Sequence, residues 1–103
     1  MRLDCDKEGF LRDLADWTPT AAEQLAAAED ILLTESHWEI ITLIRHYYGQ
    51  FNISPPTRVL VKVVAEQLGP EKGRSIYIMQ LFGGKPAKLV AKIAGLPKPT
   101  NCD

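Results

Sequence analysis

Apolar residues along this chain recur mostly at spacings of three and four, which is the period of an amphipathic helix. The clearest case covers residues 35–51. Its apolar positions are Trp38, Ile41, Ile44, Tyr48 and Phe51, widened by Ile40, Leu43 and Tyr47. Because apolar side chains occupy so much of the circumference, we predict that this helix is mostly buried at the centre of the fold.

Four further helices are predicted around it. Thr18 can cap an alanine-rich helix that runs to about Asp30, with Pro19 in its first turn. Ser54 is the predicted cap of a helix over residues 56–68. Two shorter helices, over residues 71–82 and 85–93, are bounded by Gly-Pro and Gly-Gly pairs. No segment repeats another and no long linker divides the chain, so we predict one domain.

The two ends differ from the helical middle. Gly9, in the segment Asp6-Lys7-Glu8-Gly9, can supply the positive φ of a tight turn, which predicts a small β-hairpin within residues 3–14. At the other end, Pro97 and Pro99 exclude a helix and favour an extended backbone. We therefore predict a domain over residues 1–93, followed by a flexible arm over residues 94–103.

Length and composition favour a soluble globular protein: 103 residues, 46% of them apolar and 24% charged. No apolar run approaches the roughly 20 residues of a membrane span, and the N-terminus has no secretory pattern. We expect a cytoplasmic protein that does not enter membranes.

Charge is divided unequally along the chain. Residues 1–57 carry four basic and ten acidic side chains, whereas residues 58–103 carry eight basic and three acidic ones. This polarity suits docking to an acidic surface of a protein or nucleic acid, although solvated surfaces also segregate charge by chance. The candidate docking residues are Arg58, Lys62, Lys72, Arg74 and Lys98.

Most catalytic constellations are missing. The chain has no Gly-rich phosphate loop and no dinucleotide fingerprint. His37 and His46 are nine positions apart, which does not place two ligands on one helical face, and both are interpreted as ordinary helix residues. We expect no metal, no bound cofactor and no small-molecule pocket of the chain's own.

Cys102 is the candidate reactive residue. A thiol near the tip of an extended arm does not fill a core, as a structural cysteine normally does. The pattern is compatible with a swinging nucleophile that takes up a sulfur atom as a persulfide, and equally with a terminal cysteine of no function. Lys98 lowers the pKa of such a thiol and Asp103 raises it, so we predict modest activation until a partner surrounds it.

Cys5 is the second cysteine. It lies between Asp4 and Asp6, whose carboxylates disfavour a thiolate, and we predict that it is inert. A disulfide between Cys5 and Cys102 requires the two ends of the chain to meet.

The arm sequence Ile93-Ala94-Gly95-Leu96-Pro97-Lys98-Pro99-Thr100-Asn101-Cys102 closely resembles the C-terminal arm of the TusE/DsrC family, first described as the gamma subunit of dissimilatory sulfite reductase. Similar motifs extend over essentially the whole chain. They include Asp6-Lys7-Glu8-Gly9-Phe10-Leu11, Ser36-His37-Trp38-Glu39, Ser54-Pro55, Glu71-Lys72-Gly73 and Leu81-Phe82. The resemblance implies a mainly α fold: an orthogonal bundle of about five helices with a small N-terminal β-hairpin and a mobile arm that ends in reactive Cys102.

The resemblance also distinguishes two branches. Members that work with dissimilatory sulfite reductase have a second cysteine eleven positions before the terminal one, and here that position is Ala91. The chain is similar to the single-cysteine branch, a sulfurtransferase relay in 2-thiolation of the tRNA wobble uridine. This implies a Tus-type donor complex and a tRNA thiouridylase as partners, with a transient persulfide on Cys102.

Two alternatives stay open. A single-cysteine accessory of sulfite reductase or of sulfur oxidation would use the same thiol for another acceptor. A helix-turn-helix reader of nucleic acid would use residues 56–68 and 71–82, with Lys72 and Arg74 early in the second helix.

Overall fold

Residues 2–100 are described by the structure, a computed structural model. They form Pro19–Ala27 (α1), Glu35–Phe51 (α2), Thr57–Leu68 (α3), Ser75–Phe82 (α4) and Pro86–Ile93 (α5), preceded by a single 3₁₀ turn at Leu14–Asp16. The predicted mainly α fold of about five helices is confirmed. Helix α2 has the predicted bounds, whereas the 3₁₀ turn had no counterpart among the predictions.

Helix α2 begins and ends at residues that can cap a helix. At its start, the Thr34 N–H donates a hydrogen bond to His37 Nδ1 at 3.0 Å, which satisfies a group that the first turn leaves unpaired. At its end, Asn52 adopts a left-handed conformation with φ 62°. Ile40 and Ile41 are fully buried along its core-facing side.

Helix α5 lies at the centre of the fold, because it contacts each of the other four α-helices. Pro86 stands in its first turn, where a missing N–H costs nothing. Ala87 and Ala91 are buried, and their small side chains let neighbouring helices approach closely. The arm follows α5 directly and therefore starts from the middle of the molecule.

Helix α4 begins four residues later than predicted, at Ser75 instead of residue 71. The connection over residues 69–74 packs against α3, and a Cβ on Gly73 would lie 2.2 Å from the Ala65 Cβ. This contact between elements holds residues 71–74 in a turn. Lys72 and Arg74 consequently precede α4 and do not belong to it.

The predicted N-terminal β-hairpin is wrong. Within residues 2–100 there is no strand, and only one isolated bridge joins Cys5 to Leu11. The Asp6 carboxylate accepts hydrogen bonds from the N–H groups of Glu8 and Phe10, both at 2.9 Å. This side chain thus closes a tight loop of residues 6–10 and uses an N–H group that a longer ladder would need.

Candidate functional site

The predicted reactive residue, Cys102, lies outside the described residues, so its role stays a prediction. The described part of the arm, residues 94–100, shows how the chain leaves the body. Gly95 turns the backbone immediately after α5 with φ +74°, a conformation that favours glycine. A Cβ at this position would also lie 2.3 Å from Trp17 Cδ1, so Gly95 is required both by its conformation and by its contact with the ring.

Trp17 and Arg45 hold the beginning of the arm through main-chain carbonyls. Trp17 Nε1 donates to the Ile93 carbonyl at 2.9 Å, and Arg45 donates to the Ala94 carbonyl at 2.5 Å. The Arg45 guanidinium also stacks 3.8 Å from the centre of the Trp17 ring. Partial burial lowers the pKa of Arg45 from its ordinary value, but a guanidinium remains charged at neutral pH.

Ser54 provides a third bond of the same kind. Its buried hydroxyl donates to the Pro97 carbonyl at 2.5 Å. The prediction that Ser54 caps the following helix is wrong, because Pro56 occupies that position and no side chain caps it. Leu96 is only 3% exposed, so residues 94–96 are fixed by burial, and the exposed Pro97 is held by the bond from Ser54. We call residues 94–97 the arm root.

Beyond the arm root, Lys98 is held by charge. Lys98 Nζ lies 2.9 Å from a carboxylate oxygen of Glu8, and Lys88 Nζ on α5 lies 3.7 Å from the same oxygen. The hydrogen bond from Lys98 lowers the pKa of Glu8, and the charges of both lysines act in the same direction. We call Glu8, Lys88 and Lys98 the Glu8 cluster.

The described arm therefore follows the surface of the body: residues 94–96 are buried, Pro97 and Lys98 are exposed, and Pro99 is buried again. The predicted flexibility of residues 94–103 stays a prediction.

The candidate docking residues occupy three separate parts of the molecule. Lys72 and Arg74 lie in the 69–74 connection, and Lys98 lies on the arm. Lys72 pairs with Glu39 at 2.7 Å, and the hydrogen bond to Glu39 raises the pKa of Lys72. Arg74 is exposed immediately before α4.

Arg58 and Lys62 lie one turn apart on the exposed face of α3. Lys62 borders an open groove between α2 and α3, whose apolar lining includes Tyr47, Phe51 and Val63. Their part in docking stays a prediction.

His37 has a structural role. Its Nδ1 accepts the Thr34 N–H, so the ring proton is on Nε2, which donates to the Leu81 carbonyl at 2.8 Å. The ring also meets Phe82 edge-on, with 5.1 Å between ring centres. His37 thus joins the start of α2 to the end of α4. His46 is exposed at the groove between α2 and α3.

Cys5 is a half-buried free thiol. Burial raises its pKa first, and the negative charges of Asp6 and then Asp4 raise it further. The two carboxylates act in the predicted direction, and burial adds a contribution that the sequence did not indicate.

Sequence reasoning missed the residues that hold the arm. Trp17, Arg45, Ser54 and Glu8 bond to partners 76, 49, 43 and 90 positions away. No local pattern marks such pairs, because each depends on how the finished bundle brings distant segments together.

Residues 2–100 contain neither a membrane-spanning helix nor a cluster of metal ligands. No helix there is long and apolar enough to cross a membrane. No group of three or more His, Cys, Asp or Glu side chains is arranged there to hold a metal ion.

The model of a family described as "DsrC like protein" matches residues 1–102. The chain belongs to the DsrC-like family. The matched range includes the arm and Cys102.

Several curated relatives of this DsrC-like chain have the same name. A protein of Photorhabdus laumondii called Sulfurtransferase TusE is 49% identical over 97% of this chain and 90% of its own length. One from Yersinia pestis with the same name is 48% identical over 97% of this chain and 92% of its own length.

Solved structures show the same fold. The NMR structure of Allochromatium vinosum DsrC has a TM-score of 0.87 and 47% identity, covering 96% of this chain and 88% of that one. The crystal structure of the oxidized gamma-subunit of dissimilatory sulfite reductase (DsrC) from Archaeoglobus fulgidus has a TM-score of 0.85 and 41% identity, covering 100% and 94%.

Proposed function

We propose that this chain is a single-cysteine sulfur carrier in the cytoplasm. In this proposal Cys102 accepts persulfide sulfur from an upstream Tus-type relay complex and passes it to a tRNA thiouridylase for wobble 2-thiouridine synthesis. The observation that carries the proposal is the near-full-length similarity to proteins called Sulfurtransferase TusE. The family match that runs through residue 102 supports Cys102 as the residue concerned.

The chemistry needs two sulfur exchanges and no external oxidant or reductant. First, the Cys102 thiolate attacks the outer sulfur of a donor persulfide. A new S–S bond forms on Cys102, the donor S–S bond breaks, and the donor cysteine leaves as a thiolate that takes up a proton. In the second exchange an acceptor thiolate attacks the outer sulfur of the Cys102 persulfide, and Cys102 leaves as a thiolate.

Position 91 favours a relay with one thiol. Ala91 is 1% exposed and lies in α5. The family resemblance implies that two-cysteine members have their second thiol at this position. An internal disulfide between the arm and α5 is therefore unavailable to this chain. Cys5 is a poor substitute, because its raised pKa reduces the thiolate fraction at neutral pH.

Intact-protein mass spectrometry tests the first exchange. The protein is incubated with a cysteine desulfurase, cysteine and the candidate donor complex. We expect a mass gain of one sulfur atom that is removed by a thiol reductant, is absent from Cys102→Ser and persists in Cys5→Ser. No gain in the wild type, or a gain that is lost only in Cys5→Ser, would refute Cys102 as the carrier.

The acceptor is tested separately. Sulfur-loaded protein is mixed with the thiouridylase, tRNA and ATP, and 2-thiouridine is measured by nucleoside mass spectrometry. We expect product with the wild type and none with Cys102→Ser. Loaded protein that forms no product would contradict the thiouridylase as acceptor while leaving the carrier role intact.

A single-cysteine accessory of sulfite reductase or sulfur oxidation is the second candidate. It is supported by the similarity to the gamma-subunit structure from Archaeoglobus fulgidus, at 41% identity. Binding of the chain to a dissimilatory sulfite reductase, with no transfer to the thiouridylase, would favour it.

The third reading, a helix-turn-helix reader of nucleic acid, loses its main support. Helix α4 comprises Ser75–Phe82 and contains no basic residue, because Lys72 and Arg74 precede it. A recognition helix normally directs polar and basic side chains into the major groove, whereas Ile78 and Phe82 of α4 are buried.

A further inference from the structure

The arm is attached to the body in two physically different ways. At the arm root, Arg45 and Ser54 donate hydrogen bonds to the Ala94 and Pro97 carbonyls, and Leu96 is buried; Trp17 donates to the Ile93 carbonyl just before the root. One residue further along, Lys98 is held by the exposed carboxylate of Glu8, and the side chains of both are a little under half exposed. Leu96 is buried, Pro97 and Lys98 after it are exposed, and Pro99 is buried again.

We propose that Glu8 and Ser54 are positioning residues for the arm: Ser54 fixes the arm root permanently, whereas Glu8 holds Lys98 reversibly and releases it to an acidic surface of a partner. This inference rests on the proposed function, because its purpose is to deliver a residue at the end of the arm. Its evidence lies entirely in residues 2–100.

The strengths of the two attachments differ. An ion pair between exposed side chains changes an equilibrium by only a few-fold, and salt screens it. A buried hydroxyl-to-carbonyl bond is different, because breaking it leaves a polar group without a partner inside the protein. Release therefore begins at Lys98, takes Pro99 out of its buried position and stops at the bond between Ser54 and the Pro97 carbonyl.

Lys88 makes the release reversible. Because Lys88 also lies near the Glu8 carboxylate, Glu8 keeps a cationic neighbour on α5 when Lys98 leaves. The carboxylate remains ionised and close to the position from which it can bind Lys98 again. Because the Glu8 cluster contains two lysines and one carboxylate, it has a net positive charge, which attracts an acidic group on an approaching partner.

NMR relaxation of backbone amides tests the proposal on the full chain. Lys98 and Thr100 report on the distal arm, and Leu96, whose N–H donates to the Ala91 carbonyl, reports on the arm root. In Glu8→Gln and in Lys98→Gln we expect the population with a free distal arm to rise about two- to fivefold. The Leu96 amide should stay rigid in both variants.

Ser54→Ala should give the other pattern, in which Leu96, Lys98 and Thr100 all become more mobile. Asp4→Asn is the matched control: it removes a carboxylate from the same N-terminal segment, but Asp4 pairs with Arg12 and not with the arm. In the wild type, but not in Glu8→Gln, raising the salt concentration should free the distal arm.

The proposal is overturned if Lys98 and Thr100 relax identically in wild type, Glu8→Gln and Asp4→Asn, or if Glu8→Gln loosens Leu96 as much as Ser54→Ala does. Incubating each variant with a cysteine desulfurase, cysteine and the candidate donor complex separates this from the proposed function. Arm release without sulfur on Cys102 in any variant would refute the carrier and support the Glu8 attachment. Sulfur uptake with unchanged relaxation would do the reverse.

Discussion

Trp17, Arg45 and Ser54 each donate a hydrogen bond to a carbonyl between residues 93 and 97, and none of them carried a signal in the sequence. Trp17 and Arg45 had no predicted role, and the predicted role of Ser54 was a different one. Ser54, before two prolines, is typical of a helix cap, but its hydroxyl is used by a segment 43 positions away. At the scale of single residues, the sequence could indicate the direction in which Asp4 and Asp6 move the Cys5 pKa, whereas the role of Cys102 stays a prediction. It could not indicate contacts made only in the folded bundle.

Glu8 gives a pH prediction at this scale. Because Lys98 lowers its pKa in the folded protein, the attachment should be complete above the ordinary glutamate value of about 4.3. It should be lost as pH falls through the lowered value. An NMR titration of the Glu8 side-chain carboxyl measures this pKa directly. Lys98→Gln should raise it towards the ordinary value, although Lys88 keeps part of the effect.

The same titration has an internal control. Asp6 also has a lowered pKa, but the first cause is the hydrogen bond from the Phe10 N–H and not a lysine. The pKa of Asp6 should therefore be nearly the same in wild type and Lys98→Gln. If both carboxyls shifted alike, the loop of residues 6–10 would have changed as a whole.

At the scale of elements, the sequence predicted a helix correctly where residues of that helix determine its ends. Helix α2 has a strong apolar stripe and clear stop signals, and its bounds were predicted to the residue. Helix α4 was predicted too early, since the tight approach of Gly73 to Ala65 decides where it starts. The hairpin was predicted from Gly9 and failed, because the Asp6 side chain took hydrogen bonds that a ladder requires.

His37 supports a prediction at this scale. His37→Ala removes bonds to Thr34 and Leu81 and leaves the Leu81 carbonyl without its partner, so the free energy of unfolding should fall by about 2–4 kcal/mol. His46→Ala, an exposed change in the same helix, should alter it by less than about 0.5 kcal/mol. Urea denaturation measures both. Equal effects would show that His37 contributes only helix propensity.

At the scale of the whole molecule, α5 joins the other four helices, and Lys92 on α5 extends this role to charge. Its side chain is 10% exposed and pairs with Glu29 at 2.8 Å, and its amine lies 5.4 Å from the centre of the Phe10 ring. One buried cation therefore ties α5 to the end of α1 and to the N-terminal loop. The pair thus joins an acidic residue from the acidic half of the sequence, Glu29, to a basic residue from the basic half, Lys92.

Removing the partner of that cation should destabilise the whole fold. Glu29→Gln leaves the Lys92 amine in a largely buried place without its countercharge, and we expect a loss of about 1–3 kcal/mol. Asp30→Asn removes the same charge from the exposed neighbouring position and suits its left-handed backbone. Thermal unfolding of both variants should therefore show a lowered midpoint only for Glu29→Gln. A comparable drop in Asp30→Asn would mean that net charge, and not the pair, is responsible.

The bonds to the arm root recognise backbone and not side chains. Every amino acid offers a carbonyl, so Ser54 would bind the exposed position 97 whatever residue stood there, provided that Gly95 still made the turn beside Trp17. Position 94, which Arg45 binds, is fully buried and accepts only a small side chain. The sequence after Pro97 can therefore change during evolution to suit a new partner protein, while the hydrogen bonds that hold the arm root stay the same. For the same reason, a foreign terminal segment joined after Pro97 should leave the body at the same defined position as the natural arm.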